Sequence, residues 1–378
     1  MSDLPFIPVS EPSLGELERE AVMRCIDSGW ISSEGPEVER FEEEMARYAG
    51  RRFGIAVSSG TAALDVAVAS LGIGPGDEVI VPTFTIISCI TQVLRSGAKP
   101  VFVDVDKDTW NIDVTRVEER ITPRTRALIV PHTYGLPADM EPLLALADRY
   151  GFDIIEDAAE AHGLKYRGRP CGSFGIFSTF SFYPNKLITT GEGGMIMTDD
   201  ETLAERCRRL RNLAFEPSRR FVHRELGWNY RMTNLQAALG RAQLSQASEF
   251  LLRKKQIGKM YLHHLAEVPG VQLPLETAHE SDNVFWVFGL VLKDETRMSA
   301  NDVMRRLSEL GIGTRPFFFP LHSQPVLSKF NVNSTNPLPV AERIAKMGLY
   351  IPTFVRLTDD SIERVVQAIR SALLDPQK

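Results

Sequence analysis

Three short stretches of the chain carry residue types whose spacing suits chemistry. In Ser58-Ser59-Gly60-Thr61-Ala62-Ala63-Leu64, small hydroxyl residues and a glycine lead straight into a helix-forming segment. The unpaired N–H groups of a helix start, the helix dipole and the hydroxyls of Ser59 and Thr61 all favour an anion such as phosphate. The same hydroxyls also suit an ordinary N-cap, and no lysine follows to make a nucleoside-triphosphate loop. In Ile154-Ile155-Glu156-Asp157-Ala158-Ala159-Glu160-Ala161-His162-Gly163, an apolar strand delivers acids to its carboxyl end, the edge where open α/β sheets bind ligands. An acid there is poorly solvated and needs a cationic partner, or it takes up a proton; a structural ion pair or helix cap fits the residues equally well. In Phe180-Ser181-Phe182-Tyr183-Pro184-Asn185-Lys186, continuing through Thr189-Thr190-Gly191-Glu192-Gly193-Gly194, one lysine lies between an apolar strand and a flexible glycine turn. Burial lowers a lysine's pKa and leaves a free amine that attacks carbonyls, whereas a lysine left in water is a plain surface charge.

The elements that must position these residues follow from hydrophobic periodicity. Between about residues 50 and 200, short apolar runs alternate with amphipathic stretches, which predicts a largely parallel sheet covered on both faces by helices. Strands are expected at Gly54–Ser58, Glu78–Pro82, Pro100–Val105, Ala127–Pro131, Asp153–Asp157, Phe177–Phe182 and Gly194–Thr198. Helices are expected at Thr61–Leu71, Ile86–Ser96, Met140–Tyr150 and Thr202–Leu213, with Gly97 and Gly151 as C-caps. A long helix from Asn234 to about Leu265, a strand at Asn283–Leu292 and helices at Ala300–Leu310 and Asp360–Leu373 read as a smaller α+β unit. Two domains are therefore expected, a large one over 1–250 and a small one over 251–378.

Composition narrows the function classes. The 378 residues contain 43% hydrophobic and 24% charged residues, the balance of a globular protein. A net charge of −6 excludes the strong positive field of a generic nucleic-acid binder. The arginines Arg206, Arg208, Arg209 and Arg211 have no interleaved aromatics and, with Arg219 and Arg220, read as a solvated face. Cys25, Cys89, Cys171 and Cys207 form no CxxC pair, so neither a metal site nor a disulfide framework is expected, and a reducing cytoplasm fits. The start of the chain carries acids where a signal peptide needs basic residues, and the longest apolar run, Val284 to Leu292, is broken by Gly289. No membrane association is expected.

Together, a phosphate cradle, a strand-end acid and a following lysine are what a pyridoxal-phosphate enzyme needs: an anchor, a partner for the pyridinium nitrogen and a Schiff-base lysine. At this point the chain resembles the sugar-nucleotide aminotransferases among the fold-type-I pyridoxal-phosphate enzymes. The likeness runs from Asp27-Ser28-Gly29-Trp30-Ile31-Ser32 and Gly35-Pro36-Glu37-Val38 to Ile351-Pro352. It implies an aspartate-aminotransferase-like fold with a mostly parallel seven-stranded sheet. Lys186 then corresponds to the lysine that binds the cofactor and shuttles protons, and Asp157 to the acid on the pyridinium nitrogen. Gly60, Thr61, Ala62 and Ser181 correspond to phosphate contacts, Phe84 to the aromatic stacked on the ring, and Ala159 to a further cofactor contact. Asn229, in Gly227-Trp228-Asn229-Tyr230-Arg231, corresponds to a residue reaching the phosphate from a second subunit, which implies a homodimer with shared active sites.

Where relatives often carry glutamine beside the cofactor's 3′ oxygen, this chain has Glu160, whose carboxylate would repel a phenolate unless a proton is shared. Some relatives replace the lysine with histidine and are dehydratases; the retained Lys186 favours transamination. Trp30, Ser32, His162, Arg315, Phe317 and His322 are substrate candidates, the last three in a segment that closes over the sugar nucleotide in the family. Its Arg-Pro-Phe-Phe form, Arg315 to Phe318, resembles enzymes using GDP-4-keto-6-deoxy-D-mannose. The expected reaction moves an amino group from L-glutamate to C4 of that sugar, giving GDP-perosamine. A UDP- or dTDP-linked keto sugar aminated at C4 or C3, and a non-catalytic cofactor-binding regulator, are the alternatives.

Overall fold

The computed structural model describes residues 5–216, 219–332 and 336–374; the outer ends of the two predicted domains, 1–4 and 375–378, lie outside the described residues. Seven strands, β1 (Phe53–Val57), β2 (Glu78–Pro82), β3 (Lys99–Val103), β4 (Thr125–Pro131), β5 (Asp153–Asp157), β6 (Phe177–Ser181) and β7 (Gly194–Thr198), form one sheet. Their order is β1-β7-β6-β5-β4-β2-β3. The pairs β2–β3, β2–β4, β4–β5 and β5–β6 are parallel, and β7 runs antiparallel to both its neighbours. The predicted mostly parallel α/β fold is the one observed.

Strands this apolar require cover on both faces, and two cores supply it. Leu128, Val130, Ile154 and Phe180 pack on one face with Phe41 and Met45 of helix Pro36–Ala49. Ile129, Ile155 and Phe177 pack on the other with Ala63, Val66 and Ala67 of helix Gly60–Ser70. The reversal at β7 has a local cause. Residues 182–193 connect β6 to its direct neighbour, whereas a parallel return requires a longer crossover. That connection carries Lys186.

A four-stranded antiparallel sheet, ordered Val271–Gln272, Phe288–Leu292, Gly348–Ile351 and Arg315–Pro316, forms the second layer with helices Ala300–Glu309 and Asp359–Leu374. Its core contains Phe288, Leu307, Ile351 and Ile369, and Ile7 joins it through a bridge to Ile312. Two elements depart from expectation. The long helix is two, Asn234–Ser245 and Ala247–Leu265, separated at Gln246, whose side-chain amide donates to Glu18 and to the Ala242 carbonyl. The strand expected from Asn283 begins at Phe288. Before it, Phe285 takes φ 48°, with its N–H given to the Asn283 side chain and that of Val284 to the Gly135 carbonyl. This irregular crossing carries Trp286 to the large sheet.

Candidate active site

The carboxyl ends of β2, β4, β5 and β6 open onto a cleft of about 340 Å³ whose walls include Thr61, Asp157, Glu160, Ser181 and Lys186. Asp157 is the last residue of β5 and is buried. Its Oδ1 accepts the Ala159 N–H at 3.1 Å, and its Oδ2 accepts the Cys89 thiol at 3.4 Å. Burial pushes its pKa up, while the Ala159 amide, Lys186 and Cys89 pull it down. Strand alternation sends the preceding acid, Glu156, to the other face. There its carboxylate accepts the amides of Gly172 and Phe174 and lies 2.7 Å from His132 Nε2. His132 Nδ1 accepts the Ala138 N–H, so Nε2 is the donor to Glu156.

Glu160 follows β5 by three residues. Its Oε2 accepts the Tyr134 N–H at 2.8 Å, aimed by the left-handed Tyr134 backbone (φ 58°), and its Oε1 lies 4.0 Å from Lys186 Nζ. On another side, Lys186 Nζ stands 3.8 Å from the centre of the Trp286 ring. Burial pushes the Lys186 amine below the ordinary lysine range, opposed by Glu160 and Asp157, and burial raises Glu160. The site therefore holds an amine shifted down and a carboxylic acid shifted up, each from its ordinary range toward the other.

The phosphate-type end is built by helix Gly60–Ser70. Ser59 caps it by accepting the Ala62 N–H at 3.1 Å, and Thr61 Oγ1 lies 2.7 Å from Ser88 Oγ. A side chain at Gly60 would put its Cβ 2.8 Å from Cβ of Ser181, so the glycine lets the helix start approach β6.

The model of the DegT/DnrJ/EryC1/StrS aminotransferase family matches residues 12–370. The chain belongs to this family. GDP-perosamine synthase of Caulobacter vibrioides is 43% identical over 99% of this chain and 100% of that protein. GDP-perosamine synthase of Escherichia coli O157:H7 is 39% identical over 98% and 100%. Among solved structures, S. venezuelae DesV in complex with ketimine intermediate superposes with a TM-score of 0.89 at 37% identity, covering 97% of this chain and 98% of that one. The protein is an enzyme, an aminotransferase, and not a binding regulator.

In this DegT-type aminotransferase the sequence-predicted residues divide in two. Gly60, Thr61, Asp157, Ala159, Glu160, Ser181 and Lys186 line the one cleft. Phe84 does not, which corrects the stacking role expected for it. It is fully buried against Tyr134, Phe317 and Phe318, and Thr85 and Ile86 face the cleft instead. Phe317 is likewise a core residue, packed on Trp110 and Tyr134, while its neighbour Phe318 lines the cleft and gives its N–H to the Tyr134 hydroxyl. His322 is engaged with Thr83 and Glu342 and pins its segment to the end of β2. His162 is buried behind the cleft, its Nε2 at 3.0 Å from the Ser181 carbonyl, and it lines a small neighbouring cavity. The Ala62 amide is taken by the Ser59 cap. Arg315 is exposed on the short edge strand opposite Tyr350. Trp30 and Ser32 line a separate groove with Arg208, Arg211, Arg220 and Arg231, and Asn229 is exposed beside Asn212, away from its own cleft.

Cys89, Tyr134 and Trp286 escaped the sequence reading. Cys89 carried a signal, since it falls within the predicted helix after β2. Trp286 carried none, because its partner Lys186 is a hundred positions away in the chain.

Proposed function

We propose that the protein transfers an amino group from L-glutamate to the C4 keto carbon of GDP-4-keto-6-deoxy-D-mannose, giving GDP-perosamine, with pyridoxal phosphate in the cleft. The observation that carries this reading is the convergence of Lys186, Asp157 and the Gly60–Thr61 helix start on one cleft. The substrate rests on near-full-length similarity to proteins named GDP-perosamine synthase.

The donor set fits the cofactor. Asp157 is a buried acid whose hydrogen-bond partners among the described residues are a thiol and an amide, which leaves room for a charged ring nitrogen. The Gly60–Ser181 approach forms a cradle that a Cβ would fill. Pyridoxal phosphate, when bound, supplies a carbonyl that accepts the amino group and a ring that absorbs negative charge from the adjoining carbon. The amides of Gly60 and Thr61 with the hydroxyls of Thr61 and Ser181 would hold the phosphate. Asp157 keeps a proton on the ring nitrogen. Lys186 Nζ, whose burial favours the uncharged amine, would take the proton off the donor's carbon in one half-reaction and put one on the sugar carbon in the other, the cofactor holding the amino group and the proton between the two. Glu160, held by the Tyr134 amide, sets its charge 4.0 Å from that amine, and Trp286, Phe318 and Tyr350 line the cleft beside it.

Asn229 and the Trp30 groove serve a neighbouring copy in a homodimer, with a large domain over 1–250, a small one over 251–378 and a cytoplasmic setting suited to four free cysteines. Among the described residues no helix is long and apolar enough to cross a membrane. The purified enzyme, given L-glutamate and a panel of GDP-, UDP- and dTDP-linked keto sugars, should aminate the GDP sugar fastest. Faster amination of a UDP or dTDP sugar would overturn the substrate, and full turnover by Lys186→Ala would overturn the mechanism.

A further inference from the structure

Trp286 connects three parts of the molecule. It precedes strand Phe288–Leu292 of the second layer, yet its indole N–H donates at 2.9 Å to the carbonyl of Asn185, the residue before Lys186. The face of the same ring lies 3.8 Å from Lys186 Nζ. Its own carbonyl accepts from Lys254 Nζ at 3.0 Å, and Lys254 also donates to the Thr353 carbonyl at 2.5 Å. Lys254 is buried in helix Ala247–Leu265. The ring is thus fixed at its backbone by one lysine and presents its face to another.

We propose that Trp286 is a positioning residue for Lys186, fixing the backbone before it through the Asn185 carbonyl and holding its ε-amino group on the indole face whenever that amine is free. This rests on the reading of Lys186 as the proton-transferring lysine. The titratable groups lining the cleft and the cavity at the amine are Asp157 at the end of β5, Glu160 and His162 after it, His132 after β4, Tyr183 and Glu192 in the connection that carries Lys186, Tyr350 of the second sheet, and Glu11 and Lys254 beside the smaller cavity. Of these, Glu160 and Asp157 act on it by charge, both favouring the ammonium form. An aromatic face attracts the ammonium form, so the ring opposes the effect of burial and keeps the amine from losing its proton too readily. It also keeps the amine within reach of Glu160 and of the cleft. The second layer thereby takes part in the chemistry of the first, through a side chain and not only by closing over it.

The test is pH-dependent labelling of Lys186 by an amine reagent, read by peptide mass spectrometry on the full-length chain freed of cofactor, together with steady-state kinetics of the holoenzyme. Trp286→Leu should lower the pH midpoint of labelling, so that below the midpoint Lys186 labels about 3- to 30-fold faster than wild type. Trp286→Phe keeps a ring face, so its midpoint should stay with wild type; it loses the N–H to Asn185, so kcat should fall about 3- to 10-fold with KM for glutamate unchanged. A higher labelling plateau in Trp286→Leu with an unmoved midpoint would mean that the ring only blocks access, and would overturn the proposal. If Trp286→Leu does not fold, an unchanged kcat in Trp286→Phe overturns it instead. Failure of the Lys186 reading itself would appear elsewhere, as turnover surviving in Lys186→Ala.

Discussion

Glu160 Oε1 lies 4.0 Å from Lys186 Nζ, while the other oxygen of the same carboxylate accepts the Tyr134 amide at 2.8 Å. One oxygen is tied to the backbone and the other faces the amine, so the two groups bias each other's charge in a place where water competes poorly.

Replacing Glu160 by glutamine keeps an acceptor for Tyr134 and removes the charge. Glu160 holds the Lys186 pKa up, so in Glu160→Gln the amine deprotonates more readily and the acidic limb of the kcat/KM profile should move to lower pH. Stability should shift as well. Burial raises Glu160 above its ordinary value of 4.5, so its contribution is complete below that value and is lost as pH rises through the folded-state pKa. The Tm of Glu160→Gln should therefore gain on wild type by about 2 °C or more between mildly acidic and mildly alkaline buffer. A calorimetric pH series that shows a constant difference would contradict this.

Asp157→Asn removes the charge expected on the ring nitrogen while keeping the size of the side chain. A hydrogen bond to a charged group is worth about 1.5–3 kcal/mol, so cofactor affinity should fall on the order of 10- to 150-fold. Equilibrium dialysis measures the affinity directly, and near-ultraviolet circular dichroism should show the fold intact.

Gly60→Ala places a Cβ 2.8 Å from Cβ of Ser181 and forces the helix start away from β6. Phosphate retention should weaken by about tenfold or more. Inorganic phosphate as competitor should then displace the cofactor at lower concentration than in wild type.

His162 is buried and its pKa is pushed down to about 3 from an ordinary 6.5, chiefly by loss of solvation. A depressed value stabilises the fold above 6.5, and that stability is lost as pH falls toward 3. His162→Gln should accordingly be less acid-sensitive than wild type across this range. Urea midpoints at a series of pH values check it, and parallel slopes for the two proteins would refute it.

Much of the site was legible because strand ends are legible. Apolar runs located β5 and β6, and Asp157 and Lys186 follow from where those runs stop, whereas Glu160 and Ser181 came from the family resemblance. Phe84 and Phe317 came from the resemblance, and in the irregular backbone beyond a strand no periodicity tells which of two neighbours faces inward; the structure buries both and turns Ile86 and Phe318 to the cleft. The direction of β7 was hidden because an apolar strand reads alike both ways, and only its short connection to β6 decides the matter. The partners Trp286–Lys186 and Lys254–Thr353 are long-range contacts with no local pattern. The break at Gln246 was missed because Glu18, which Gln246 binds, lies at the other end of the chain.

Glu156 and Asp157 stand back to back on β5, one gripped by His132 and two amides, the other facing the cleft. The acid that the cleft receives is thus encoded by reading frame as much as by residue type. A single inserted or deleted residue in β5 would present the longer side chain to the cofactor and strand the shorter one among donors set for its neighbour. The three bonds to the Glu156 carboxylate on the far side act as a ratchet against such slippage, so variation in this family should tolerate substitution in β5 far better than any change in its length.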